Sequence, residues 1–121
     1  MNTTMDNIIN RLNLLGIPVA QTQFIDTKKD PAPSPPFIIW ITNENARGAD
    51  YKNNIVEAES AIELYTDIFD KDRRGIYEAK IESSVLHDIE FRKYPAPVPS
   101  ENMFQTAYEF TIIEKRSFKN G

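Results

Sequence analysis

Residues 55–67 read IVEAESAIELYTD, and their alternation decides the fold. Val56, Ala58, Ser60, Ile62 and Leu64 share one parity, while Glu57, Glu59, Ala61, Glu63 and Tyr65 share the other. Successive side chains of a strand point to opposite sides of its sheet. The pattern over 55–65 therefore predicts a half-buried antiparallel strand with one apolar face and one face bearing carboxylates.

The neighbouring segments supply its partners and its cover. Residues 37–42, FIIWIT, are apolar on both parities and predict a strand covered on both sides. Residues 103–115, MFQTAYEFTIIEK, place Phe104, Thr106, Tyr108, Phe110 and Ile112 opposite Met103, Gln105, Ala107, Glu109 and Ile113, the longest strand pattern in the chain. IEFRKY, residues 89–94, predicts a further strand, which the proline-rich 95–101 is expected to break. Met5, Ile8, Ile9, Leu12 and Leu15 fall on one helical face between a Thr3 or Thr4 N-cap and Gly16 at the C-terminal stop. Tyr77, Ile81, Val85 and Leu86 form a second such face after an Asp70 or Asp72 cap, with Glu78, Lys80 and Glu82 expected to face water. Residues 19–26 alternate weakly and read as extended chain or a poor edge strand, and the prolines of 31–36 as a stiff surface connection. Residues 43–54 read as a long polar loop around Gly48. The sum is an α+β fold: one domain over 1–121 with a four-stranded, mainly antiparallel sheet, two helices on one face, order α-β-β-α-β-β, and 115–121 as a flexible tail.

Composition narrows the function. A chain of 121 residues makes one core, burying roughly two-thirds of the surface its unfolded form exposes. The absence of cysteine removes disulfides, thiolate metal sites and cysteine nucleophiles. With 18 acidic against 14 basic residues the net charge is −4, a poor match to nucleic-acid phosphates. Gly16, Gly48, Gly75 and Gly121 are the only glycines, so neither a dinucleotide fingerprint nor a P-loop can be written. No apolar run approaches the ~18 residues of a spanning helix, and no export signal is legible at the N-terminus, so a location in the cell interior and no membrane contact are expected.

The chemistry-bearing residues form no convincing reactive centre. Glu57, Glu59 and Glu63 lie on one strand face, where i and i+2 are roughly 6–7 Å apart, a spacing compatible with a hard cation or an acid/base pair. The same pattern marks most solvated or interfacial sheet faces, and that reading is preferred. His87, the only histidine, fits a helix C-terminus, which favours a cationic side chain, better than a ligand position. Ser83 and Ser84 lack the glycine-flanked turn of a hydrolase. Trp40, Tyr65, Tyr77, Phe104, Tyr108 and Phe110 lack the interleaved positive charge of a base-stacking platform. What remains is more two-sided sheet than one copy covers, which predicts self-association. Phe37, Ile39 and Trp40, with Asp50, Tyr51 and Arg116, are the candidate assembly contacts, and no cofactor is expected.

Several short motifs in order carry a resemblance. Pro36-Phe37-Ile38-Ile39-Trp40, Gly48-Ala49-Asp50, Ile62-Glu63-Leu64-Tyr65-Thr66, Glu78 with Ile81-Glu82 and Leu86, Ser100-Glu101-Asn102-Met103-Phe104-Gln105 and Tyr108-Glu109-Phe110 resemble a family of small phage and prophage tail proteins, the tail terminator or tail completion proteins. The likeness runs from Leu15-Gly16-Ile17-Pro18 to the last strand, although residues 95–99 are richer in proline than the family's turn. The resemblance implies a homo-oligomeric ring, a hexamer in tail terminators, that caps the tail tube, meets the head-completion protein and lets DNA pass without specific binding. It implies a non-enzymatic protein found in the host bacterial cytoplasm during assembly and in the virion tail afterwards. On that picture Glu57, Glu59 and Glu63 either line the lumen, where like charge repels passing DNA, or face Arg47, Arg73, Arg74 or Lys80 of a neighbour. Another neck or head-completion protein is the alternative within the class. A small metal-dependent enzyme using Glu57, Glu59, Asp50 and His87 is the alternative outside it, and composition also leaves open a regulatory binding module.

Overall fold

The computed structural model describes residues 3–24, 32–47 and 53–117, with backbone only at 45–47, 53–54 and 115–117. It is an α+β structure whose sheet has five strands rather than four, in the order β1-β2-β3-β5-β4. The strands are β1 (Val19–Gln21), β2 (Phe37–Arg47), β3 (Asn53–Asp67), β4 (Arg92–Val98) and β5 (Met103–Ser117). β2, β3, β5 and β4 pair antiparallel, and β1 runs parallel to β2, so the sheet is mixed. Two helices, α1 (Met5–Asn13) and α2 (Lys71–Lys80), cover one side of it.

β3 forms as its alternation dictates. Val56, Ala58, Ser60, Ile62, Leu64 and Thr66 are buried, and the intervening residues lie on the other side. β5 meets it in register, Ile62 opposite Tyr108 and Leu64 opposite Thr106, so the buried parity of one strand continues that of the next. Over this surface lie Met5, Ile8 and Leu12 of α1 together with Ile81, Val85 and Leu86, and these residues form a single core cluster with Ile38, Tyr108, Phe110 and Ile112.

Each helix is set by local chemistry. At α1 the Asn7 N–H donates to Thr4 Oγ1 at 3.2 Å and the Thr4 N–H donates to Asn7 Oδ1 at 2.9 Å, a reciprocal cap that satisfies two otherwise orphaned donors. The chain leaves the helix through Gly16 at φ +80°, a left-handed conformation that costs glycine little. At α2, Asp70 Oδ1 accepts from the Arg73 N–H at 2.9 Å. The helix then widens into a π-helical turn over Ile81–Val85, where the Leu86 N–H reaches the Ile81 carbonyl at 2.9 Å. Widening by one residue brings Ile81, Val85 and Leu86, each at most 1 % exposed, onto the sheet together.

Four expectations are corrected. β1 is a fifth strand, three residues long; it is held by the Ile38 N–H on the Pro18 carbonyl at 2.9 Å and the Thr22 N–H on the Trp40 carbonyl at 2.8 Å. β2 runs to Arg47 and β3 starts at Asn53, so most of the expected 43–54 loop is a hairpin ladder. β4 spans Arg92–Val98 instead of 89–94 and includes Pro95 and Pro97. It is an edge strand, and prolines two residues apart direct their missing donors the same way, outward, where no ladder bond is lost. β5 continues through Ser117, so residues 115–117 are strand and not tail. Among the described residues no helix is long and apolar enough to cross a membrane.

Candidate interaction surface

The side of the sheet away from the helices is built from the odd-numbered residues of β2, β3 and β5 and the even-numbered residues of β4, as the register requires. No described element lies over it. Ile41 (38 % exposed), Ile55 (44 %), Tyr94 (45 %) and Ile113 (54 %) all stand on this open face. Glu57, Glu59 and Glu63 share it with Glu109, and Arg92 sits directly across from Glu109.

One end of the face is closed by aromatic packing. Phe24 meets Phe37 edge-on at 5.4 Å and Phe37 stacks on Tyr65 at 5.0 Å. The Tyr65 hydroxyl donates to Glu63 Oε1 at 3.0 Å and accepts from Gln105 Nε2 at 2.9 Å. Burial and the Glu63 charge hold that phenol above its usual range against the opposing pull of the Gln105 bond. Toward the other end lies an open depression of about 1110 Å³ whose lining includes Ile41, Ala61, Phe91, Glu59, Glu90 and Glu109. Glu59 and Glu109 have no ion-pair partner among the described residues.

The candidate assembly residues therefore divide. Phe37 is 9 % exposed, held within its own chain by Phe24 and Tyr65. Ile39 is half-buried on the open face, and Trp40 packs against the core from the helix side. Asp50 and Tyr51 lie outside the described residues, and Arg116 is described in its backbone alone, opposite Asn54. The exposed apolar residues Ile41, Tyr94 and Ile113 were not singled out from sequence, although the parity of Ile41 and Ile113 opposite the buried residues of their own strands marks those two.

Glu78 and Glu82 depart from expectation most clearly. They do not face water but turn onto the β4–β5 edge of the sheet. Thr106 Oγ1 donates to Glu78 Oε2 at 2.6 Å, and the Tyr108 hydroxyl donates to Glu82 Oε2 at 2.8 Å. Lys93 Nζ bridges both, at 2.7 Å from Glu82 and 3.4 Å from Glu78. Burial and the Glu82 carboxylate drive the Tyr108 phenol far above its ordinary range. Burial works to raise Glu82, but the Lys93 and Tyr108 hydrogen bonds outweigh it and lower its pKa. Arg74 lies 3.9 Å over the Phe104 ring. This network ties α2 and the π-helical turn after it to the sheet.

A second clasp joins the helices. Arg11 donates to Asp88 Oδ1 at 2.8 Å, to Oδ2 at 3.2 Å and to the Val85 carbonyl at 3.0 Å, and Thr3 Oγ1 also bonds Asp88. The Arg11 bonds, then that from Thr3, hold the Asp88 carboxyl far below the usual carboxylate range. Ser83 is engaged locally, its hydroxyl donating to the Ala79 carbonyl at 2.7 Å, and His87 is exposed in the turn after it. Among the described residues no three His, Cys, Asp or Glu side chains come together in an arrangement that holds a metal ion. Compared with known proteins, the chain matches no protein-family model and no curated protein.

Proposed function

We propose that the protein is a structural component of a long-tailed phage or prophage particle, a ring-forming tail terminator that caps the tail tube and joins it to the head-completion protein. The observation that carries the self-assembly part is the open sheet face, where Ile41, Tyr94 and Ile113 stand exposed among carboxylates. Apolar side chains distributed across one face are what a protein contact desolvates. The tail assignment rests in addition on the ordered short motifs described above. Isoleucines set between the glutamates favour contact with a neighbour over a lumen wall, because repulsion of passing DNA requires charge and gains nothing from exposed hydrocarbon.

The reading is tested by light scattering coupled to size-exclusion chromatography across a concentration series, with negative-stain electron microscopy of the same fractions. Closed rings of uniform stoichiometry are expected. A mass equal to one chain at every concentration overturns it.

A further inference from the structure

We infer that the turn between β3 and α2, led by Phe69, docks into the acidic depression on the open sheet face of a second copy, an inference that rests on the self-assembly reading above. Phe69 is 86 % exposed, the most exposed large apolar side chain among the described residues. It is not a loose residue. Its N–H donates to Asp67 Oδ1 at 2.8 Å, the Ile68 N–H to the Asn102 carbonyl at 3.1 Å and the Asp70 N–H to the Asp67 carbonyl at 3.1 Å. With Asp70 also capping α2, the backbone on both sides is fixed and the ring is presented outward from an ordered turn. A preformed apolar anchor of this kind loses little conformational entropy on binding.

The receiving surface has the opposite shape and a complementary charge. Ile41, Ala61 and Phe91 give the depression apolar walls, and its acidic lining residues Glu59, Asp88, Glu90 and Glu109 outnumber Arg92, the one basic residue of the lining. Beside Phe69 stand Lys71, exposed and without a partner among the described residues, and Arg73, held at 3.6 Å from Asp70. Lys71 is therefore the cation available to a neighbour's Glu59 or Glu109.

Phe69 cannot fill the depression of its own chain. Ala61, opposite Ile41 on the ladder, lies six residues before Asp67, about 20 Å along the strand. The turn then leads into α2, on the covered side of the sheet. The contact has to be made in trans, between two different surfaces. Such a head-to-tail contact builds a ring if its rotation closes and a filament if it does not.

The test uses the full chain, which has no cysteine of its own. Phe69→Ser is expected to reduce the scattering mass to that of one chain while the circular-dichroism spectrum keeps the parent's shape and unfolding stays cooperative. Lys71→Glu and Glu59→Lys are each expected to weaken assembly at least tenfold, and their combination to restore it. In the double variant Asp72→Cys/Thr111→Cys, which keeps Phe69 and Ile41 and places one thiol beside the turn and the other in the lining of the depression, a bismaleimide is expected to give a ladder of covalent multimers. A Phe69→Ser protein that assembles like the parent, or a double-cysteine protein that assembles without a ladder, overturns the docking and leaves the ring reading intact. A Phe69-dependent dimer supports the docking and sinks the ring, and a parent chain that stays monomeric sinks both. Glu59→Lys that leaves assembly whole but retains a DNA duplex places the face on a lumen and overturns the inference.

Discussion

Replacing Tyr108 by Phe isolates a single hydrogen bond inside the fold. Tyr108 has no exposed surface, its ring packs edge-on against Phe91 at 5.4 Å, and its hydroxyl donates to Glu82 Oε2 at 2.8 Å. Phenylalanine keeps the ring and all of that packing, so no cavity forms and the cost is the bond alone. A hydrogen bond to a charged group contributes about 1.5–3 kcal/mol. The Glu82 side chain is 35 % exposed and keeps Lys93 at 2.7 Å, so water replaces part of what is lost and the expected destabilisation is about 1–2 kcal/mol. In urea, with a slope of about 2 kcal/mol per molar, the midpoint falls by about 0.5–1 M. Glu82→Ala costs more, because it leaves a buried phenol hydroxyl without an acceptor as well as removing the Lys93 partner. The double variant should therefore be little worse than Glu82→Ala alone, giving a coupling of about 1–2 kcal/mol in a double-mutant cycle. A Tyr108→Phe midpoint within error of the parent, together with additive single effects, would mean that Glu82 faces solvent as its helical position alone implies, and the network would have to be abandoned.

Three further outcomes follow from particular residues. Thr66 is fully buried and its Oγ1 has no hydrogen-bond partner; Thr66→Val should raise stability by about 1 kcal/mol, and a lower melting temperature would show that the hydroxyl is satisfied. Gly16 sits at φ +80° with nothing within 4 Å of an added Cβ, so Gly16→Ala should cost only the backbone penalty of about 1 kcal/mol, with Gly16→Asn milder by thermal melting. Asp88 is held low by Arg11, so its contribution is present above the unfolded carboxylate pKa of about 3.9 and fades as pH falls below it; Arg11→Ala should flatten that acid limb, while the limb above about pH 10, where the raised Tyr108 and Lys93 groups lose their contribution, stays as in the parent.

The parts of this structure legible in sequence are those fixed by local periodicity. The alternation of 55–65 sets β3, the apolar spacing from Met5 to Leu12 sets α1, and Ile81, Val85 and Leu86 mark the buried end of the second helix. The parts missed depend on contacts remote in sequence. β1, legible in sequence as extended chain or a poor edge strand, joins the sheet because two backbone donors find partners 18 and 20 residues away, Thr22 on Trp40 and Ile38 on Pro18. The polar Asn43, Glu44 and Asn45 continue β2 because β3 offers them a ladder, which their own weak strand propensity does not reveal. Pro95 and Pro97 read as breakers because their permissibility depends on β4 being at an edge. Phe69 gives no signal beyond being an aromatic residue in a charged run, since exposure is a property of the turn and not of its composition.

The chain treats its glutamates in two ways, and this separates folding from assembly. Glu78 and Glu82 accept hydrogen bonds from Thr106, Tyr108 and Lys93 within one protomer, so neutralising them removes interactions the folded state already contains. Glu59 and Glu109 lie exposed on the open face without such partners, and neutralising them should leave the folding stability of the single chain within about 0.5 kcal/mol of the parent. Glu82→Gln should lower the urea midpoint, and in conditions where the protein remains folded it should leave particle mass unaltered. Glu59→Gln with Glu109→Gln should do the reverse, with a midpoint unchanged at concentrations where both proteins are single chains and a weakened, less salt-sensitive assembly. If neutralising Glu59 and Glu109 moves neither the midpoint nor the mass, the open face contributes only solubility, and its carboxylates are the wet side of the sheet.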